Sequence, residues 1–314
     1  RDAEETERDE TLWIRTRYLV IASAGLAAED LGSGRKILKK LARSHRFSHV
    51  APGLVALRCQ SLSPRLSGLR VRARLHYGAL PNLHLSERGE ILFCDYGISG
   101  IAAMDLSSRI ASGDDEGGLQ SYLEPRVLQY CRQRMNSDGE AFLFLELFPD
   151  SSRAELCALL RPRIYDATVP CGLRESLGYL FSGILDQSLL EACIDRFFEI
   201  YYAKAGSVRL QSHSDLDVAV EQFIRFLSCL PMEYEGVRDY RYAQIMVGGV
   251  LLSEIDDCFE SRVQSGLFLG GEILDMQGRC GGFNLQWMLI SASHLAPKIA
   301  QRLASSADAV DKKT

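Results

Sequence analysis

Apolar and polar positions change their rhythm several times along the chain. Tyr18–Ser23 (YLVIAS) is a short apolar, β-branched run followed by Ala24-Gly25, the pattern of a buried strand that ends in a tight turn. After Gly32-Ser33-Gly34, the spacing of Ile37, Leu38 and Leu41 predicts a helix over about 35–42. From Leu54 to Phe93 the period falls to two. Leu69–Tyr77 alternates apolar and basic side chains at every step, as a half-buried strand does. Leu54–Cys59 and Glu90–Cys94 read as further strands, which together predict a small antiparallel sheet or barrel. Ser112–Gly118 (SGDDEGG) is a polar break.

Beyond that break the pattern predicts helices over Leu123–Met135, Ser151–Leu160, Leu173–Leu185, Ser188–Lys204 and Leu216–Leu230. Leu189, Leu190, Cys193, Phe197 and Ile200 recur at three- and four-residue spacing, an amphipathic signature. Ser151 reads as an N-cap with Glu155 in the first turn. One extended piece, Ala141–Phe148, interrupts the helices. Strand character returns at Val237–Val250, closed by Gly248-Gly249, and at Leu267–Leu269. A glycine-rich loop, Gly278–Gly282, leads into a last helix from about Asn284 to Leu303.

The expected fold class is therefore α/β and nested. A discontinuous, incomplete Rossmann-like domain is expected over 1–45 and 251–314. A β-barrel domain is expected over 46–115 and 231–250, and an inserted helical domain over 116–230.

Composition narrows the function classes. Of 314 residues, 46% are apolar and 25% charged, the balance of an ordinary globular protein. Lys and Arg total 36 against 41 Asp and Glu, so no basic excess points to nucleic acid. No apolar stretch approaches the roughly 20 residues that cross a bilayer. Arg1–Glu10 carries six acids and no apolar run, unlike a signal peptide. The nine cysteines are odd in number and never spaced as C-x-x-C, which argues against a disulfide framework or a zinc ribbon. A soluble, cytoplasmic protein is expected.

The segment from Gly266 to Trp287, GLFLGGEILDMQGRCGGFNLQW, carries the most chemistry. Glycines after a strand let a ligand approach the backbone, and free N–H groups at a helix start suit an anionic or carbonyl group. A tight turn needing positive φ is the bland alternative. Cys280, beside Arg279, could be a redox thiol or a spectator. Glu272 could serve a ligand or pair with Arg279 or Arg262. His45, His49, His76 and His84 form no metal-binding spacing and read as surface or strand-edge residues. Arg35, Lys36, Lys39, Lys40, Arg43 and Arg46 read as a solvated basic helix face. Ser212-His213-Ser214-Asp215 reads as a helix-start loop.

The same segment resembles the C-terminal FAD motif of the aminoacetone oxidase-like, or BaiN-like, NAD(P)/FAD-dependent oxidoreductases, GLYFAGEVLDVDG-x-x-GGYNLQWAWSSG. Ala243 with Val247-Gly248-Gly249-Val250 is similar to that family's A-x-V-T-x-GGV strand, and Cys258–Arg262 to its TMESK. Gly89–Gly100 (GEILFCDYGISG) resembles GELLFTHFGISG. Ala22–Gly25 with Gly32-Ser33-Gly34 resembles ATGG…GS-x-G, and Pro52–Leu57 its P-x-LVPL strand. The likeness is collinear from about Tyr18 to Leu303.

The resemblance implies an FAD-dependent oxidoreductase of a small organic substrate, with NAD(P)H as a candidate electron donor. It assigns cofactor contacts to Gly271, Glu272, Asp275, Gly281, Gly282, Phe283, Asn284 and Leu285, and to Ala22 and Gly25 in the first turn. It names no catalytic acid or base, no metal, no nucleic acid and no membrane. Two features of the family are absent from this sequence: the G-x-G-x-x-G unit that holds the FAD pyrophosphate, and the GGGRCN stretch. Gly32–Ile37 is a near miss, with Ile37 where the third glycine belongs. Roughly the first third of a typical member is thus expected to be missing, leaving open sheet edges that a partner chain or a second copy would cover. The alternative function is a truncated, non-catalytic flavoprotein homologue with a binding or scaffold role.

Overall fold

The computed structural model describes residues 15–23, 34–60, 62–80, 83–116, 123–135, 141–166, 168–202 and 208–311. Strand β1 (Leu19–Ile21) is the apolar run after Tyr18. It is followed by α1 (Gly34–Leu41), β2 (Ala51–Gly53), β3 (Leu57–Cys59), β4 (Arg70–Ala79), β5 (Leu85–Cys94) and β6 (Gly97–Ser99). Strands β4 and β5 pair antiparallel with Arg74 opposite Arg88. Their alternation buries Ala73 and Leu75 on one strand and Leu85, Ile91 and Phe93 on the other.

A helix that period-two reading passes over follows directly: α2, Ile101–Ser112. Four of its six buried residues are small, Ala102, Ala103, Ser107 and Ser108, so the usual bulky stripe is reduced to Leu106. The helix instead lies close against the chain. The hydroxyl of Ser108 accepts the Leu54 N–H at 2.8 Å, and that of Ser107 accepts the Val55 N–H at 3.0 Å. Gly100, with φ +91°, starts it; a Cβ there would stand 2.5 Å from the Glu90 carbonyl oxygen.

Next come α3 (Pro125–Arg134), β7 (Ala141–Glu146), α4 (Arg153–Ile164), α5 (Leu173–Phe181), α6 (Gln187–Tyr201), α7 (His213–Leu227) and β8 (Leu230–Val237). The extended piece expected among the helices is not isolated. It is β7, and the closed barrel runs β3-β6-β5-β4-β7-β8. Several helix ends differ from their expected positions, among them the end of α4 at Ile164 and the start of α7 at His213. Ser152 rather than Ser151 caps α4, in a reciprocal box with Glu155. Gly183, at φ +75°, follows the end of α5 at Phe181. Helix α6 ends at Tyr201. Helix α7 stops at Leu227, and Leu230-Pro231 already belongs to β8, where proline cannot continue a helix. Phe197 lies 5.1 Å from Phe223, which lies 5.1 Å edge-on from Phe181, so aromatic rings bind α5, α6 and α7 into one core.

The expected strand Val237–Val250 divides in two. Its start closes the barrel, while β9 (Ile245–Val247) pairs antiparallel with β2. Finally β10 (Leu267–Leu269) pairs parallel with β1, and α8 (Phe283–Asp311) extends for 29 residues, past the expected end. Chain segments about 250 residues apart thus share one parallel pair, with Leu19 opposite Leu267. A second, smaller core of Leu41, Met246, Val250, Leu267, Leu269, Ile273 and Leu274 packs beneath it. Several apolar side chains are exposed: Leu19 and Val20 of β1, and Leu285, Leu289 and Ile290 of α8. Parallel strands are ordinarily covered on both faces, so the exposure of both Leu19 and Val20 is unusual for β1.

Candidate functional site

The site grows from the β1–β10 pair. The N–H of Gly270 donates to the Ile21 carbonyl at 3.0 Å, which brings the exposed Ala22 beside the turn that follows β10. Residues 24–33 lie outside the described residues, Gly25 and the Gly32-Ser33 start of the near-miss glycine pattern among them, whereas Gly34–Ile37 opens α1. Gly271, at φ +75°, opens a single 3-10 turn over Gly271–Ile273. Glu272 points inward from this turn, and its Oε1 accepts the Met246 N–H at 2.6 Å, tying β9 to the site. Of the two arginines weighed as its partner, Arg279 turns instead to Glu87 and Asp105.

After the turn the chain runs beside Val250, whose N–H donates to Ile273 and whose carbonyl accepts from Asp275 at 2.8 Å. Gly249 permits this close approach, and Gly248 the approach of the His49 backbone on the other side. A Cβ on Gly248 would sit 2.0 Å from the His49 carbonyl oxygen, and one on Gly249 2.6 Å from that of Ile273. The loop closes on Asn284, whose Oδ1 accepts the Gly278 N–H at 2.7 Å while its Nδ2 donates to the Gly278 carbonyl at 2.8 Å. Gly281 and Gly282 then take positive φ and deliver the chain into α8. The Trp287 indole N–H donates to the Gly271 carbonyl at 3.2 Å, fixing the first turns of α8 over the 3-10 turn.

What remains open is as informative as what is bonded. No atom lies within 4 Å of a Cβ position on Gly282, and only Met288, at 4.0 Å, approaches one on Gly271. The first-turn N–H groups of α8 have no intrahelical acceptors, and the aligned peptide dipoles make that end partly positive. Phe283 and Leu285 flank it, both exposed. Ala22, Gly271, Glu272, Asp275, Gly281, Gly282, Phe283, Asn284 and Leu285 thus occupy one turn, one loop and one helix start. The arrangement leaves the side of Gly282 and the first-turn N–H groups of α8 open to a hydrogen-bond acceptor.

Other candidates are placed differently. Burial, and after it the neighbouring Asp105, pushes the Cys280 thiol up to about 11, the opposite of an activated thiol. His45 is buried, not at the surface: its ring lies 2.7 Å from Ser261 Oγ and 2.9 Å from Ser44 Oγ. Ser261 Oγ already accepts the N–H groups of Val263 and Gln264, so its hydroxyl donates to His45 Nε2, and His45 donates from Nδ1 to Ser44. This joins the end of α1 to the segment before β10. His76 sits 3.3 Å from Glu146, and His84 3.4 Å from Asp115. No group of three His, Cys, Asp or Glu able to hold a metal occurs among the described residues. Ser212 accepts the Asp215 N–H at 3.1 Å as the cap of α7. None of the described helices is long and apolar enough to cross a membrane.

Sequence reasoning missed Glu87 and Asp105, the carboxylates that hold the loop from the barrel side. A signal existed for Glu87, which shares the alternate, apolar positions of β5 with Leu85 and Ile91.

The sequence matches the HI0933-like protein Rossmann domain over residues 3–298. It is 26% identical to the 3-dehydro-bile acid delta(4,6)-reductase of Clostridium scindens over 276 residues, covering 86% of this chain and 58% of that protein. It is 27% identical to the ribosomal RNA dihydrouridine synthase of Escherichia coli over 284 residues, 87% of this chain and 58% of that one. Against the protein of the same name from Haemophilus influenzae, identity is 35% over 86 residues, covering 27% of this chain and 21% of that protein. The chain therefore spans little more than half the length of the first two relatives.

Proposed function

This chain belongs to the HI0933-like Rossmann-domain family, and on that premise we propose that it is an FAD-dependent oxidoreductase acting on a small organic substrate. The observation that carries the reading is the start of α8. Positive-φ glycines leave its N–H groups accessible, and the loop before it is braced by Asn284. A bound flavin would supply the redox chemistry itself, with NAD(P)H as the candidate electron donor. The chain's own part is to hold and orient. The first-turn N–H groups of α8 would donate to the cofactor, Gly271 and Gly282 would admit it to the backbone, and Glu272 would keep the turn in place through Met246. The two longer-matching relatives are named for a bile acid and for ribosomal RNA, so the proposal takes over the class of chemistry and not a substrate. Nine free, scattered cysteines fit a reducing, cytoplasmic setting.

The test is the visible absorption spectrum of the purified chain before and after incubation with FAD and desalting. Stoichiometric flavin absorption is expected to survive desalting. A colourless protein, folded by circular dichroism and indifferent to FAD, would overturn the reading. That outcome would favour a second one, a non-catalytic homologue with a binding or scaffold role. The exposed apolar residues of β1, and separately those of α8, are the observation in its favour, as places for a partner chain or a second copy.

A further inference from the structure

Two carboxylates are buried where the barrel meets the glycine loop. Glu87 lies on the apolar face of β5 and is 6% exposed; Asp105 lies on α2 and is 5% exposed. Buried carboxylates are costly unless paired, and both are paired across the same boundary. Asp105 Oδ1 accepts the backbone N–H of Cys280 at 2.7 Å, and its Oδ2 accepts from Arg279 Nε at 3.3 Å. Glu87 takes the other arm of the Arg279 guanidinium with Oε2. Its Oε1 accepts from Arg109 at 3.0 Å, and the same Arg109 nitrogen also donates to the Ser86 carbonyl. Arg109 is held in turn by Asp114 and Glu116.

The contacts of the two carboxylates reach the loop at Arg279-Cys280, just before the two positive-φ glycines, and Ser112 of α2 accepts from Gln277, just ahead of the loop, at 3.2 Å. Arg279 and Cys280 also stand at the two positions that the motif writes as x-x. Asn284 braces the other side at Gly278. A five-residue glycine-rich loop has many backbone states, and fixing both of its flanks removes most of them.

We propose that Asp105, backed by Glu87 through Arg279, is a positioning residue for the flavin loop. By gripping one backbone N–H and one guanidinium, it sets where Gly281, Gly282 and the first N–H groups of α8 point. The inference rests on the flavin reading above. It adds that the cofactor loop is shaped from the barrel side, by residues that need not touch the cofactor.

The experiment compares the wild-type chain with D105A, D105N and E87Q, using two readouts. The first is FAD affinity together with the visible circular dichroism of the bound flavin. The second is the rate of tryptic cleavage after Arg279 in the absence of FAD, followed by mass spectrometry. Asn keeps an acceptor for the Cys280 N–H but loses the charge facing Arg279, whereas Ala loses both. FAD affinity should fall by about tenfold or more in D105A and by a smaller factor in D105N and E87Q, in line with charge-assisted hydrogen bonds. Cleavage after Arg279 should accelerate in the same order, while cleavage elsewhere stays as in wild type. D105N keeps the shape of the side chain, so it carries the test if D105A fails to fold. If wild type binds FAD and the folded variants match it in affinity, dichroism and cleavage, the clamp is overturned and the flavin reading stands. A wild-type chain that takes up no FAD overturns the flavin reading and the cofactor role of the clamp with it.

Discussion

The side-chain amide of Asn284 bonds both backbone polar groups of Gly278, accepting its N–H at 2.7 Å and donating to its carbonyl at 2.8 Å. These two bonds fix the amide's orientation and close the loop between them. Asn284→Asp removes the donor and sets a carboxylate against the Gly278 carbonyl. Loss of one such bond, with an acceptor left facing charge, should cost about 1–3 kcal/mol. Chemical denaturation measures that loss. FAD retention should fall in parallel, because the loop is part of the proposed site.

The glycines separate into two kinds. Gly248→Ala would place a methyl 2.0 Å from the His49 carbonyl oxygen, so the folded chain should be lost or strongly destabilised. Gly282→Ala meets open space and carries only the strain of φ +88°, about 1–2 kcal/mol. This variant should therefore fold, with a modestly lower melting temperature, yet bind FAD more weakly than wild type. Equal FAD affinity in Gly282→Ala would count against cofactor approach at that position.

Cys280 supplies a pH-dependent check. With its thiol pushed up to about 11 by burial and Asp105, it is almost wholly protonated at neutral pH. Only the thiolate is nucleophilic, so its alkylation by iodoacetamide should be slow at pH 7 and rise about tenfold per unit between pH 8 and 10. The exposed Cys171 should label ahead of it. Peptide mass spectrometry at successive pH values distinguishes the two sites.

In the barrel, burial pushes the Glu146 carboxyl up, but the His76 hydrogen bond and the Arg74 charge outweigh it and hold it below the usual carboxylate value. Arg74 stands 2.9 Å from Glu146. A carboxylate depressed on folding stabilises the protein above its unfolded value, and that contribution disappears as pH falls through the folded one. Stability measured in urea should thus decline as pH drops from about 5 toward 3. Glu146→Gln should start less stable at pH 7 and decline less steeply.

The local code was sufficient for much of the fold. Period-two alternation marks β4 because each inward side chain meets the barrel core and each outward one meets solvent. The 3.6-residue spacing around Phe197 marks α6 for the equivalent reason. The motif from Gly266 to Trp287 marks the turn, loop and helix start, since positive φ at Gly271 and Gly282 is a demand that the residue type itself answers. Tertiary structure alone decided the rest. The sequence held β7 to be an extended piece among helices, and only its hydrogen bonds to β4 and β8 make it a barrel strand. Small side chains hid α2, whose stability comes from close packing and from Ser107 and Ser108 meeting the Leu54–Val55 backbone. Above all, nothing in the order of residues announces that Asp105 will hold Cys280 across 175 positions, or that His45 will meet Ser261 across 216. Such pairings follow from how distant segments pack, and packing is a property of the whole chain that no local pattern encodes.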